Sequence, residues 1–334
     1  MSGPSRVHYP PRNAHASHIP QSYPPAMSPE LRPADAAPGS WVDRLPGVLQ
    51  PLARLSRWDR PVGVWLLAIP CWAGLAFGRL GVGFGAQDAG LCLLFLCGAA
   101  AMRGAGCTYN DIIDRDIDAK VTRTAGRPLP AGQIGLRGAW AWLVVQCLVG
   151  LGVLICLPSA ARLVALAALP LVAAYPFMKR ITWWPQAWLG LTFNWGALVA
   201  VAAAAGALDP AAILFYVGLA LWTLGYDTIY ALQDVEDDAL IGVRSTARRF
   251  AAATRPAIGA VYGLACAATA AACLAAGGTA GALAVAPFAL HLAWQTAHTR
   301  PDLGTGALLV FKSNREAGLL LTAGLALVVM LGAH

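Results

Sequence analysis

Residues 90–118 read GLCLLFLCGAAAMRGAGCTYNDIIDRDID. The first part is apolar for about 20 residues, long enough to cross a bilayer as a helix, and its one charge is Arg103. It then turns acidic, with Asp111, Asp114, Asp116 and Asp118 inside eight positions. A membrane span that ends in a row of carboxylates is the pattern around which the rest of the chain is organised.

Eight further apolar stretches surround it, at about 62–78, 139–157, 163–178, 185–205, 211–231, 258–276, 279–297 and 317–331. Of the 334 residues, 57% are hydrophobic and 12% charged, roughly half the charge of a soluble domain. That composition excludes an ordinary soluble enzyme and points to an all-α polytopic membrane protein with the lipid bilayer as a partner. The net charge of +7 does not indicate a nucleic-acid partner, because 21 of the 24 Lys and Arg fall on one side when the spans are counted in turn. Such asymmetry is the positive-inside signature. It predicts nine transmembrane helices with a cytoplasmic N-terminus, and Gly277–Gly278 as the break between the seventh and eighth. Residues 1–45, rich in Pro and without an apolar run, read as a disordered, non-catalytic tail without a secretory signal. Residues 46–334 read as the transmembrane domain. The eight cysteines and six histidines show no metal-ligand spacing and read as core or scattered residues.

A second acidic row closes the sixth stretch: Asp227, Asp234, Glu236, Asp237 and Asp238. On a helix Asp111, Asp114 and Asp118 share one face, with Asp116 turned away. By the same rule Asp227, Asp234 and Asp238 share a face and Glu236 opposes them. Like charges in rows at the edge of hydrocarbon are costly and call for divalent cations. Mg²⁺ suits carboxylates that share it with phosphate oxygens. Lys120, Arg123 and Arg127 follow the first row, and Arg244, Arg248 and Arg249 the second; carboxylate, metal and cations together fit a diphosphate leaving group. Solvated loop charges are the simpler reading for any one Asp, but not for two matched rows on the same side.

The motifs Asn110-Asp111-x-x-Asp114-x-x-x-Asp118, with Arg123-Thr-Ala-Gly-Arg127-Pro-Leu-Pro130, and Tyr226-Asp-Thr-Ile-Tyr-Ala-Leu-Gln-Asp234-x-x-x-Asp238 resemble the UbiA superfamily of intramembrane aromatic prenyltransferases. The resemblance runs from about Arg57 through Phe311-Lys-Ser-Asn314 to the C-terminus. The second motif is most similar to the 4-hydroxybenzoate polyprenyltransferase branch of ubiquinone synthesis. The resemblance implies a bundle of nine helices around a central, laterally open cavity. It also implies two Mg²⁺ ions between the aspartate motifs and the diphosphate of a polyprenyl donor. Asn110, Asp111, Asp114 and Asp118 would form the first metal and diphosphate site and Asp234 and Asp238 the second, with Asp227 and Tyr230 beside them. Lys179 and Arg180, in Tyr175-Pro-Phe-Met-Lys-Arg, resemble the segment that holds the acceptor carboxylate. Arg180 is the first choice, because a guanidinium grips a carboxylate well. Arg60 matches a family position at the mouth of the first span. A basic pair or a lone Arg that only sets topology is the plainer alternative for these residues.

Arg103, two turns before Asp111, is expected beside an acidic or diphosphate group, or to snorkel. Trp183, Trp184 and Trp188 read as interface residues. Two other readings stand beside the main one: another acceptor of the same family (homogentisate, naphthoate or haem), and a proton-coupled transporter. High Ala, Gly and Arg usage suggests a bacterial inner membrane, with a mitochondrial inner membrane as the alternative.

Overall fold

A computed structural model describes residues 39–119, 122–240, 242–300 and 306–332. Among these residues there is no strand. The helices are α1 (Gln50–Leu55), α2 (Val62–Phe77), α3 (Asp88–Asp118), α4 (Thr122–Ala125), α5 (Leu136–Cys156), α6 (Ser159–Ala167) and α7 (Leu169–Ile181). They continue with α8 (Pro185–Ala205), α9 (Pro210–Ala231), α10 (Val235–Leu240), α11 (Thr246–Phe250) and α12 (Thr254–Leu283), and end with α13 (Ala286–His298), α14 (Gly306–Lys312) and α15 (Asn314–Leu331).

Among the described residues seven helical segments are long and apolar enough to cross a membrane, α6 and α7 counting as one and α14 and α15 as another. The expected count of nine is therefore met only in part. The first expected span, α2, has 16 residues, and α13 has 13. The eighth is short because the chain, after the break at Gly277 and Gly278 where helical geometry fails inside α12, turns again at Ala284–Val285. Gly278 has φ 61° and ψ −157°, a conformation essentially reserved for glycine, so the expected break is where the sequence places it. Most of the segment from 1 to 45 lies outside the described residues. Within it, Trp41–Arg44 already form a 3-10 turn, with Trp41 stacked on Trp58 at 6.3 Å and Arg54 paired to Asp43 at 3.0 Å.

Helix starts and stops follow local chemistry. Asp209 caps α9 by accepting from the Ala212 N–H at 2.7 Å, with Pro210 in the first turn, and Gly206 ends α8 in a left-handed turn. Packing follows small residues. A Cβ on Gly74 would lie 2.5 Å from the Ala197 carbonyl, and one on Gly190 equally close to that of Ala220, so α2 meets α8, and α8 meets α9, at backbone contact. The core thus gathers on α2, α8, α9, α12 and α15 around Trp222, Phe215 and Phe288. Away from the acidic ends, Arg79 reaches both oxygens of Asp88 (2.9 and 2.7 Å) and the Ala204 carbonyl (3.1 Å), stapling α3 to α8.

Candidate active site

The last turns of α3 carry the first acidic row. Asp111 and Asp114 are fully buried and Asp118 nearly so, whereas Asp116 is exposed and pairs with its neighbour Arg115. The one-face expectation therefore holds for this row. Each buried carboxylate has a cation of the protein beside it. Arg57 Nη2 donates to both oxygens of Asp111 (2.6 and 2.8 Å). Arg127 Nη1 donates to Asp111 at 3.2 Å and to Asp118 at 2.6 Å. Asp114 accepts from Lys179 and, at 2.7 Å, from Arg180. Burial works against the Arg57 charge, but Asp111, Cys107 and Asp59 together outweigh it and hold the guanidinium above its ordinary pKa. The Arg57 backbone sits at φ 59°, a strain of about 1–3 kcal/mol for a non-glycine residue.

The second row is built differently. Helix α9 ends at Ala231, a 3-10 turn covers Leu232–Asp234, and α10 begins at Val235. The shared face expected of Asp227, Asp234 and Asp238 required an unbroken α-helix, and the tighter turn ends that register. Asp234 and Asp238 are half-buried, Glu236 is exposed, and the Asp237 side chain is outside the described residues.

A cavity of about 460 Å³ opens beside Asp111. Its polar end is lined by Asn110, Asp111, Arg57, Arg60 and Arg127. Arg103, Asp227, Tyr175, Tyr226, Tyr230 and Phe311 line its middle, and Leu94, Phe95, Leu157 and Val199 its far end. Asp111 and Leu94 are 17 residues apart on α3, so the wall is about 25 Å deep. Arg103 stands out inside it. Its Nε is buried without a hydrogen-bond partner, and its guanidinium lies 5.3 Å over the Phe193 ring. It fits only because position 63 is glycine: a Cβ there would collide with the guanidinium. Asp227, across the same cavity, makes no hydrogen bond or ion pair among the described residues.

Of the residues singled out from sequence, Asn110, Asp111, Arg127, Asp227, Tyr230 and Arg60 therefore share one cavity, Arg60 also pairing with Asp59 at 3.3 Å. Asp114, Asp118, Asp234, Asp238, Lys179 and Arg180 do not line it. Arg180 is 41% exposed and turned to Asp114 and the Ile113 carbonyl, where the end of α7 meets α3. Arg244, Arg248 and Arg249 stack on Trp183 and Trp184 and do not line the cavity. Lys120 and the Arg123 side chain lie outside the described residues. Among the described residues no three His, Cys, Asp or Glu side chains converge as a metal cluster. The reading from sequence missed Arg57, whose partner is 54 positions away. The only trace of Arg57 in the sequence is an arginine three residues before Arg60.

The UbiA prenyltransferase family model matches residues 67–314. A bovine protein named 4-hydroxybenzoate polyprenyltransferase, mitochondrial, is 48% identical over 72% of this chain and 64% of its own length. The mouse protein of that name is 44% identical over 86% of this chain and 76% of its own length. The chain thus spans slightly less than two thirds of the bovine relative. Among solved structures, a UbiA homolog from Aeropyrum pernix matches with TM-score 0.62 and 26% identity, over 79% of this chain and 97% of that one. A UbiA homolog from Archaeoglobus fulgidus, bound to GPP and Mg²⁺, matches with TM-score 0.63 and 19% identity, over 84% and 99%, a likeness of fold.

Proposed function

Because this chain belongs to the UbiA prenyltransferase family, we propose that it is a 4-hydroxybenzoate polyprenyltransferase, which moves a polyprenyl chain from its diphosphate to ring carbon 3 of 4-hydroxybenzoate. The observation that carries this reading is a single cavity with a charged end at Asp111, a cation at Arg103 whose Nε has no hydrogen-bond partner, and an apolar far end. The three regions suit a diphosphate, an aromatic carboxylate and a prenyl tail respectively. The names of the bovine and mouse relatives support the acceptor.

The oxygen donors Asn110, Asp111, Asp114, Asp118, Asp234 and Asp238 fit Mg²⁺, which needs only one or two carboxylates when phosphate oxygens complete its shell. When bound, Mg²⁺ supplies positive charge that steadies the departing diphosphate. Arg57, Arg60 and Arg127 add fixed cations at the same end. The allylic C–O bond breaks with its electron pair leaving on diphosphate, and the ring carbon ortho to the phenol forms the new C–C bond. Arg103, rather than Arg180, grips the acceptor carboxylate, since its buried Nε has a donor to spare. Asp227, in the same cavity and without an ion pair, accepts the proton that the acceptor gives up. Tyr175, Tyr226, Tyr230 and Phe311 keep water from the allylic cation and offer it their π-faces.

Catalysis is assigned to residues 46–334 and none of it to residues 1–45. The relatives' names fit a mitochondrial membrane, and nothing in them supports the bacterial inner membrane suggested by composition. The test is product formation by membranes containing this chain, given geranyl diphosphate, 4-hydroxybenzoate and Mg²⁺. A 3-prenylated product that EDTA abolishes is expected. Product from homogentisate or a naphthoate but not from 4-hydroxybenzoate would reject the acceptor.

A further inference from the structure

Outside the cavity, three guanidinium groups lie on two indole rings. Arg244 and Arg248 lie over Trp183 at 5.9 and 5.5 Å, and Arg249 lies over Trp184 at 5.7 Å. Phe250 braces Trp184 edge-on, 5.7 Å between centroids. The platform is held in place from both loops. The Arg244 N–H donates to the Lys179 carbonyl (3.2 Å), its guanidinium to the Ile181 carbonyl (2.6 Å), and the Thr246 N–H to Gln186 (3.0 Å). Arg248 donates to the carbonyls of Val243 and Asp238. Among the described residues none of the three arginines has a carboxylate partner, and Arg249 is exposed, its one hydrogen bond running from the backbone N–H to the Ser245 carbonyl (3.1 Å) and none from the guanidinium.

Three positive charges are thus fixed side by side and left uncompensated. Their place matters. Residues 182–184 join two membrane-crossing segments, Ser159–Ile181 and Pro185–Ala205, so the platform stands where headgroups meet water. Ile181 at its edge is 62% exposed, as a side chain facing acyl chains would be. Arginine stacked on tryptophan loses less rotamer freedom on binding and presents its N–H edge to a phosphate. Basic pockets between membrane helices recognise lipid headgroups by this chemistry. We propose that Arg244, Arg248 and Arg249 on Trp183 and Trp184 form a binding site for the phosphate headgroup of an anionic membrane lipid. The apolar edge and the membrane boundary favour a lipid over a free phosphate. The site is independent of the proposed reaction.

Native mass spectrometry of the purified full chain tests it, with short-chain phosphatidylglycerol, phosphatidylcholine and inorganic phosphate as separate probes. One retained phosphatidylglycerol and no comparable phosphatidylcholine adduct are expected. Arg249→Gln should weaken that retention about fivefold, the value of one interfacial cation, and adding Trp184→Leu should weaken it further. Equal retention by the variants and the parent overturns the site. So does displacement of the lipid by inorganic phosphate at equal concentration, which would make it a free-anion site. Should Trp184→Leu unfold, Arg249→Lys serves instead: it keeps the charge, loses the stacking, and should bind between the parent and Arg249→Gln.

Discussion

Arg57 reaches both oxygens of Asp111 through a single nitrogen, at 2.6 and 2.8 Å, from a backbone held at φ 59°. The strained residue before the first span and the buried carboxylate at the end of the second are thus one unit. Removing one partner of a buried ion pair costs about 3–5 kcal/mol when the other is left alone, and less here because Arg127 also reaches Asp111 at 3.2 Å. Arg57→Ala is therefore expected to lower the unfolding midpoint strongly, and Asp111→Asn in the same chain to restore part of it. A thermal double-mutant cycle in detergent reads this directly; additive losses would show that the two residues act separately.

Arg103 should decide affinity for the acceptor. Arg103→Gln removes a charged hydrogen bond worth about 1.5–3 kcal/mol, so KM for 4-hydroxybenzoate should rise at least about tenfold while KM for the prenyl diphosphate stays near that of the parent. Gly63→Ala should do the same without touching a polar group, because its methyl would displace the guanidinium. Arg180→Gln should raise the acceptor KM far less. An Arg180 effect as large as that of Arg103 would return the acceptor to the end of α7.

Asp234→Asn keeps the shape of the side chain and removes its charge. If Asp234 holds Mg²⁺, activity should fall by about 100-fold or more, the scale on which lost charge stabilisation acts, while the unfolding midpoint changes little. Raising Mg²⁺ should recover part of the rate. A variant with parental turnover and parental Mg²⁺ dependence would remove Asp234 from the metal site.

Asn314 positions the aromatic wall from behind. It accepts from Trp222 Nε1 at 2.8 Å and donates to the Phe311 carbonyl at 3.0 Å, and the Phe311 ring lies 4.7 Å from that of Tyr230. Asn314→Leu breaks both bonds and leaves Phe311 free to shift. More of the allylic cation should then be captured by water, so the ratio of prenyl alcohol to prenylated acid should rise several-fold, the scale of a cation–π contact. Chromatography of the products measures it; a lower total yield at an unchanged ratio would make Asn314 merely structural.

The parts legible in the sequence were those fixed by neighbours along the chain. The row from Asp111 to Asp118 lies on one helix, so spacing alone gave its buried face and singled out Asp116. Gly277–Gly278 announced the break because no other residue adopts that backbone readily. Register was interrupted where a helix changed type: the 3-10 turn at Leu232–Asp234 breaks the α-helix on which the shared face of Asp227, Asp234 and Asp238 was counted. Partners distant in sequence were lost as well. Nothing local shows that Arg57 belongs to Asp111, that Arg180 backs Asp114, or that Arg244, Arg248 and Arg249 turn to tryptophans instead of the acids before them.

Helix α5 gives the cavity Gly150, Val153 and Leu154, yet only 11% of its apolar window is buried within the protein. Its inner face lines the cavity and most of the remainder faces outward, toward the acyl chains of the bilayer. A change in bilayer thickness or lateral pressure therefore bears on one wall of the cavity, and in the proposed reaction the fluidity of the surrounding membrane enters the affinity for the prenyl tail as directly as any side chain does.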